Sequence, residues 1–377
     1  MVAVDPVALA CALVRAPSVT PVDAGAMEAV EQALAPLGFA LRRLRFGEVE
    51  NLYARRGAGG RNLMFAGHVD VVPAGDPAAW RAPPFAGEVR GGVLVGRGAV
   101  DMKGAVAAWI AALARTPAPA QGVQSLLITG DEEGAALDGT RRVVEALLAE
   151  GERVDHCLVG EPTSAAVLGD MMKTGRRGSL NASIVVEGVQ GHVAYPDRAA
   201  NPIPVLVALL QRLQGLALDA PWAAFQPSNL EVTNIHVGNT ADNVIPAEAR
   251  ARLNIRFNPA YRGEELVARL EVACAEAAAG FAGAVRLEAR VSGEAFHTPD
   301  GPFVELVAAA VEAVTGQAPE RSTSGGTSDA RFIRALCPVV EFGLVGATMH
   351  KVDEAAPVAD LLALSEVYAE VNRRYFA

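Results

Sequence analysis

The chain has 377 residues, 51% hydrophobic and 20% charged, with 43 acidic against 33 basic side chains and a formal net charge of −10. That length and apolar content describe a folded protein of two domains, or of one domain with a large insertion. The acidic balance, with no basic run longer than a pair, excludes a nucleic-acid surface and favours metal ions and small polar substrates. Cys11, Cys157, Cys274 and Cys337 are scattered in apolar contexts without a CxxC, which argues against a disulfide framework or a thiolate zinc site and for reduced, packed thiols. No apolar run is long enough to cross a membrane, and the N-terminal MVAVDPVALACALVRAPSVT has no basic leader, so a cytoplasmic location is expected.

Asp5 and Pro6 open an amphipathic helix over 6–14; a second helix is predicted over 24–37 and a strand over 39–46. The run Leu63-Met64-Phe65-Ala66 reads as a buried strand, after which Gly67 frees the backbone and His68 and Asp70 emerge on one side of its C-terminal edge. Asp70 is placed to accept the spare imidazole N–H of His68 and fix its tautomer as a metal ligand. Asp101, in a glycine-rich surround of Gly96, Gly98 and Gly104, leads into a helix over 102–115. Taken alone, this stretch is equally a glycine-rich loop with a stray His and an N-capping Asp.

Strands over 124–129 and 156–159 run into Gly130-Asp131-Glu132-Glu133-Gly134 and Gly160-Glu161-Pro162, and a fourth over 338–344 runs into Gly346-Ala347-Thr348-Met349-His350. Four apolar strands that each end in Gly and then a His or carboxylate predict one shared rim of an α/β sheet, where such folds build sites. Between 178 and 290 the order is strand 180–187, helix 204–216, strands 229–237 and 248–257, helix 264–278 and strand 285–291, the βαββαβ of a ferredoxin-like split motif. Arg250 and Arg252 alternate with apolar neighbours and read as a solvated sheet face. Because the rim pattern resumes afterwards, the block is expected to be an insertion: a catalytic domain over 1–177 and 292–377, interrupted by a second domain over 178–291.

A pair of divalent ions about 3.5–4 Å apart needs a shared carboxylate and terminal ligands for each ion. His68, Asp101, Glu133, Glu161 and His350 offer that set: one His, one Glu and a share of Asp101 per ion leave room for water, as catalytic zinc requires. Adjacent Glu132 and Glu133 point to opposite sides, so one can bind metal while the other serves as general base, with a carboxyl held low by the cations. By itself, Asp131-Glu132-Glu133 is also an ordinary acidic surface turn. His156 and His297 read as structural or exposed, and His236 as packed in an irregular strand. His192, on a Gly-flanked turn, is a functional candidate. The Ser322–Asp329 run STSGGTSD, leading into a helix over 330–336, suits a carboxylate-bearing ligand, and Ser324 and Ser328 lack the G-x-S-x-G elbow of a serine hydrolase.

GHVDVVPAGD, GRGAVDMKG, TGDEEG, CLVGEPTS, GRRGSL, QGHVAYP, NVIP and STSGGTSDARF occur in this order over nearly the whole chain. The set resembles the di-zinc family of aminoacylases, acetylornithine deacetylases and carboxypeptidases, and, through GRRGSL, GHVAYP and STSGGTSDARF, its desuccinylases. The resemblance implies a zinc-exopeptidase-like α/β catalytic domain, a mixed sheet flanked by helices, with the inserted domain as lid and dimerisation module. It implies two Zn²⁺ per subunit, with Co²⁺ able to replace one: His68, Asp101 and Glu161 for one ion, and Asp101, Glu133 and His350 for the other. Glu132 is then the general acid/base and Asp70 the residue that orients His68. His192 reaches a partner subunit's site to steady the oxyanion, and Arg176, Ser179, Tyr195, Asn243, Arg256, Gly326 and Thr327 grip a substrate with several carboxylates.

The implied reaction is hydrolysis of N-succinyl-L,L-2,6-diaminopimelate to succinate and L,L-2,6-diaminopimelate, on the route to lysine and diaminopimelate, by a cytoplasmic homodimer that uses neither nucleic acid nor membrane. The chain departs from that pattern at Gly346, where the desuccinylases usually carry Asn, and at Val69, where Thr is common. A deacylase of another N-acyl amino acid such as N-acetylornithine, a dipeptidase or carboxypeptidase on the same scaffold, and a non-catalytic metal-binding relative are the alternatives.

Overall fold

In a computed structural model, which describes residues 3–218 and 222–377, the chain divides into two units. One comprises Met1–Gly175, Thr298–Ser322 and Ser328–Ala377; the other comprises Arg176–His297 and Thr323–Thr327. The segment Thr323–Thr327 therefore goes with the inserted unit, although it follows the second joint in sequence. Residues 1–2 and 219–221 lie outside the described residues.

The first unit is built on an eight-stranded mixed sheet. Its order is Ala40–Phe46, Val49–Ala58, Gly122–Thr129, Asn62–His68, His156–Val159, Val339–Glu341, Met171–Lys173 and Glu320–Ser322. The four strands from Gly122–Thr129 to Val339–Glu341 run parallel to one another, and the strands on either side of this block, Val49–Ala58 and Met171–Lys173, pair with it antiparallel. Every residue of Asn62–His68 and Gly122–Thr129 is buried, as expected of strands covered on both faces by helices. Lys103–Arg115 is apolar around nearly its whole circumference and is buried from Lys103 to Ala114. Its Trp109 stacks on Phe65 with ring centroids 4.7 Å apart, and Tyr368 of the C-terminal helix Val358–Phe376 meets both rings edge-on. The Tyr368 hydroxyl donates to the Phe342 carbonyl at 2.7 Å, tying that helix to the end of Val339–Glu341.

The N-terminal elements form where expected. Asp5 caps Pro6–Arg15 by accepting the Val7 N–H, and the next helix is Ala26–Leu34, its last turn tightened to 3₁₀ around Pro36. The predicted helix over 330–336 is only Ala330–Ile333, since Pro338 lies close behind it. Strand Val49–Ala58 and helices Thr140–Ala149, Pro302–Thr315 and Val358–Phe376 add to the elements read from sequence. All four cysteines are free and buried.

The second unit is a four-stranded antiparallel sheet in the order Asn229–His236, Glu248–Phe257, Gly178–Glu187, Ala284–Gly293. With helices Pro202–Gln214 and Gly263–Ala278, its chain order is βαββαβ, and its own core joins Leu180, Ile184, Leu206, Leu213, Leu253, Phe257 and Leu270. Arg250 and Arg252 are exposed on the polar face, as their alternation requires. His236, expected to pack, is exposed, because Asn229–His236 is an edge strand with an irregular register.

Candidate active site

The four parallel strands end on one rim, and the chain beyond each end supplies a chemical group. His68 closes its own strand; Glu132 and Glu133 follow Thr129; Glu161 follows Val159; His350 lies beyond the Val339–Glu341 strand, just after a 3₁₀ turn, Gly346–Thr348. Asp101 enters immediately before the helix Lys103–Arg115. The Glu161 segment is packed closely by its neighbour: a Cβ on Gly343 would stand 2.4 Å from the Glu161 carbonyl oxygen, so only glycine fits there.

Asp101 sits between the two histidines. One carboxylate oxygen is 3.2 Å from His68 Nε2, and the other is 3.2 Å from His350 Nε2. Glu161 Oε1 lies 3.8 Å from His68 Nε2, and Glu133 Oε1 lies 2.8 Å from His350 Nε2. The trios His68, Asp101, Glu161 and Asp101, Glu133, His350 each present ligand atoms within 4.8 Å of one another, as does His68 with Glu132 and Glu133. The first trio is buried; the His350 side chain is 47% exposed, which leaves one side of the cluster open.

Asp70 acts through different atoms than expected. The His68 Nδ1 partner is the main-chain carbonyl of Asp70 at 3.0 Å, while the nearer carboxylate oxygen is 3.6 Å away. That carboxylate instead accepts the main-chain N–H groups of Glu132 and Glu133, at 3.2 and 3.0 Å, and so pins the turn that carries both glutamates. The carbonyl serves His68 equally well, fixing Nε2 as the nitrogen that faces the cluster.

The electrostatics are those of an acidic cluster that calls for cations. Burial works to raise the Asp101 carboxyl, but hydrogen bonds from His350 and His68 outweigh it and hold it well below its ordinary value. Burial works to depress His68, and contacts with Asp101, Asp70 and Glu161 carry it well above 6.5 instead; Asp101 and Glu133 lift His350 to about 10. Burial, then the charges of Glu161 and Asp329, push the Glu132 carboxyl well above its ordinary value, opposite to the low value expected beside cations. The protein groups alone act in that direction, and dications would act against it. Two imidazoles, two glutamates and a two-sided aspartate match a pair of borderline divalent ions of the zinc, cobalt or manganese kind.

The remaining candidates fall in the second unit. Arg176 is buried and donates to the Gly326 carbonyl at 2.9 Å, next to Thr327. Ser179 and Arg256 are direct cross-strand partners, and Asn254 donates to the Ser179 hydroxyl. His192 pairs with Val244, beside Asn243, and its ring lies 5.8 Å from that of the exposed Tyr195. His156 lies tilted against Phe303 and bonds the Tyr375 hydroxyl, and His297 lies edge-on to Phe225.

Four charged residues of the rim were not singled out by sequence reasoning. Arg97 and Glu354 form a buried ion pair at 2.7 Å beside Asp101. Arg331 lies 3.9 Å from Glu132 and 3.6 Å from Asp329. The one available signal was position, since Arg97 and Arg331 both fall inside motifs that carry candidate ligands or candidate substrate contacts.

A mixed sheet whose parallel strands lead into two histidines and two glutamates at one rim, with an aspartate from a helix start between the histidines, defines an α/β protein suited to a pair of divalent cations. The chain belongs to Peptidase family M20/M25/M40, whose model matches residues 64–374. It is 64% identical over 376 residues to the succinyl-diaminopimelate desuccinylase of Caulobacter vibrioides (strain NA1000 / CB15N), covering 100% of this chain and 97% of that one. It is also 64% identical over 377 residues to the protein of the same name from Phenylobacterium zucineum (strain HLK1), covering 100% and 99%. Among solved structures, the M20 family metallo-carboxypeptidase Sso-CP2 from Sulfolobus solfataricus superposes with a TM-score of 0.80 at 17% identity, covering 99% of each chain. The Bacillus subtilis YXEP protein, a dinuclear metal binding peptidase from the M20 family, gives 0.74 at 18% identity, covering 98% of this chain and 97% of that one. These two share the fold. No helix among the described residues is long and apolar enough to cross a membrane.

Proposed function

We propose that the protein hydrolyses N-succinyl-L,L-2,6-diaminopimelate to succinate and L,L-2,6-diaminopimelate, on the route to lysine and diaminopimelate. The observation that carries this reading is the two-sided Asp101, with one oxygen toward His68 and the other toward His350, in a chain 64% identical over its full length to proteins named for that reaction. His68, Asp101 and Glu161 would hold one zinc ion, and Asp101, Glu133 and His350 the other, with cobalt able to replace one. A bound ion pair supplies an acidified water and polarises the amide carbonyl.

The chain's own residues do the rest. Glu132 takes a proton from the attacking water and delivers it to the departing amine, so that one carboxylate serves both halves of the reaction. Asp70 fixes the turn on which Glu132 stands, and the Asp70 carbonyl sets the His68 tautomer. His192 donates to the oxygen that gains charge as the carbonyl becomes tetrahedral. Arg176, Ser179, Tyr195, Asn243, Arg256, Gly326 and Thr327 bind the carboxylates and amine of the substrate, the guanidinium groups by two-pronged pairing. The inserted unit, 178–291, serves as lid and as the surface of a cytoplasmic homodimer in which each His192 acts in its partner's site.

The test is amine release by the zinc-loaded protein from N-succinyl-L,L-diaminopimelate, with N-acetylornithine and a dipeptide alongside. A strong preference for the succinyl compound is expected. Preference for either competitor overturns the substrate assignment and leaves the Glu132 chemistry standing; inactivity on all three with zinc bound overturns both.

A further inference from the structure

Arg97 and Glu354 are 3% and 0% exposed, are separated by 257 residues in sequence, and take no part in the chemistry above. A buried ion pair is weak evidence of stabilisation, because desolvation offsets most of its attraction. What distinguishes this one is where its remaining bonds go. Glu354 uses Oε2 for Arg97 Nη1 at 2.7 Å and Oε1 for the main-chain N–H groups of Val100 and Asp101, at 2.9 and 3.2 Å. Arg97 in turn donates to the carbonyls of Lys351 and His350, at 3.2 and 3.5 Å, and to that of Pro73 at 3.4 Å, while its guanidinium lies 5.3 Å from the Trp80 ring centroid. The Asp101 loop and the His350 loop are thus fastened to each other through two side chains. His350 needs such a support: its φ of 61° is one that a non-glycine residue holds only where its surroundings fix it.

We propose that Arg97 and Glu354 are positioning residues that set the affinity of the second metal ion, the one assigned to Asp101, Glu133 and His350; the inference rests on the two-ion reading above. Two of that ion's three ligands hang on the pair. Of the other trio, the bonds just described fasten Asp101 alone. Loss of a residue that orients ligands in this way typically costs about 10–100-fold in metal affinity. Glu354→Gln should therefore weaken the second equivalent at least tenfold while leaving the first within a few-fold, and excess metal should restore turnover.

The experiment is calorimetric titration of metal-stripped protein with zinc, with retained zinc counted by elemental analysis after desalting. Wild type, Glu354→Gln and Arg97→Lys are compared. Arg97→Lys keeps the buried charge beside Glu354 but lacks the forked reach to the His350 carbonyl, so it carries the test if Glu354→Gln does not fold. A wild type that keeps two ions and a folded variant that keeps one bear the proposal out. Wild-type affinity for both ions in a folded variant overturns it, as does equal weakening of both. A wild type that binds only one ion removes the two-ion reading, and this inference falls with it.

Discussion

Replacing Glu132 by Gln removes one negative charge and the proposed proton carrier while changing little else. The amide matches the carboxylate in volume, and the Glu132 main-chain N–H keeps its bond to Asp70. The contacts of Asp101, Glu133 and His350 with one another do not involve it. Glu132 is partly buried near Glu161 and Asp329, whose charges oppose its ionisation, so losing its charge relieves repulsion; the ion pair given up is the loose one with Arg331 at 3.9 Å. Fold and metal content are therefore expected to hold. Positioned acid–base groups contribute about 10²–10⁴-fold. Because a single group here serves both attack and departure, kcat should fall by about 10³ or more, equivalent to roughly 4 kcal/mol of barrier. The assay is amine release at saturating substrate by zinc-loaded wild type and variant, with zinc content measured on the same samples. A variant within tenfold of wild type, or one that loses an ion along with its activity, refutes the division in which Glu133 holds metal and Glu132 moves the proton.

Asp70→Ala leaves the N–H groups of Glu132 and Glu133 without their acceptor. At about 1–3 kcal/mol per unpaired buried donor, it should lower the thermal midpoint and depress kcat more than it raises KM, which steady-state kinetics and calorimetry will check. His192→Ala removes an exposed side chain, so the thermal midpoint and zinc content should not change while kcat falls about 10²-fold or more; an unchanged kcat removes His192 from the reaction. Burial depresses the His156 pKa below 6.5, so the unfolded chain binds protons more readily than the native one. Its contribution to stability is complete above about pH 6.5 and is lost as pH falls below that through the lower native pKa. The difference in thermal midpoint between wild type and His156→Gln should shrink on acidification from pH 7 to 5, and a difference that grows would reverse the sign argued here. Gly346 does not have a left-handed φ, and a Cβ there meets nothing nearer than 3.4 Å, so Gly346→Asn should fold normally. The added amide is expected to lower KM for the succinyl substrate by a few-fold, in line with about 0.5–1.5 kcal/mol per hydrogen bond, and an unchanged KM would show that no substrate group lies within its reach.

The rim of His and carboxylate side chains was legible because each part of it is local. Gly122–Thr129 and Asn62–His68 are buried along their whole length and carry the short apolar runs Leu126-Leu127-Ile128 and Leu63-Met64-Phe65-Ala66, and parallel pairing then brings the polar residues after each run to the same edge. The βαββαβ unit was legible for a similar reason, with alternation marking a half-covered sheet in Glu248–Phe257. Val49–Ala58 was not read, since its antiparallel course beside Gly122–Thr129 is set by the partner and its own pattern is broken by Arg55, Arg56 and Gly57. The C-terminal helix Val358–Phe376 was missed although Tyr368, Leu364 and Leu361 are fully buried, because its buried stripe is interleaved with charged positions at almost every turn.

What positions these side chains was far less legible, and Asp70 shows why. Alternation correctly placed it beside His68, but alternation does not decide which of its atoms the imidazole takes. That choice is a competition: two part-buried main-chain donors from Glu132 and Glu133 would be left unpaired without the carboxylate, whereas the imidazole has the Asp70 carbonyl at 3.0 Å. The outcome depends on a turn that begins sixty residues later in the chain, which no local pattern contains. Arg97 and Glu354 are the same problem at greater range, for an ion pair closed across 257 residues leaves no periodic trace at either end. Sequence therefore reports which groups reach the rim, since strand ends deliver them. The bonds that hold those groups at coordinating distance are made between loops, and there chemistry is chosen by which buried donor would otherwise go unpaired.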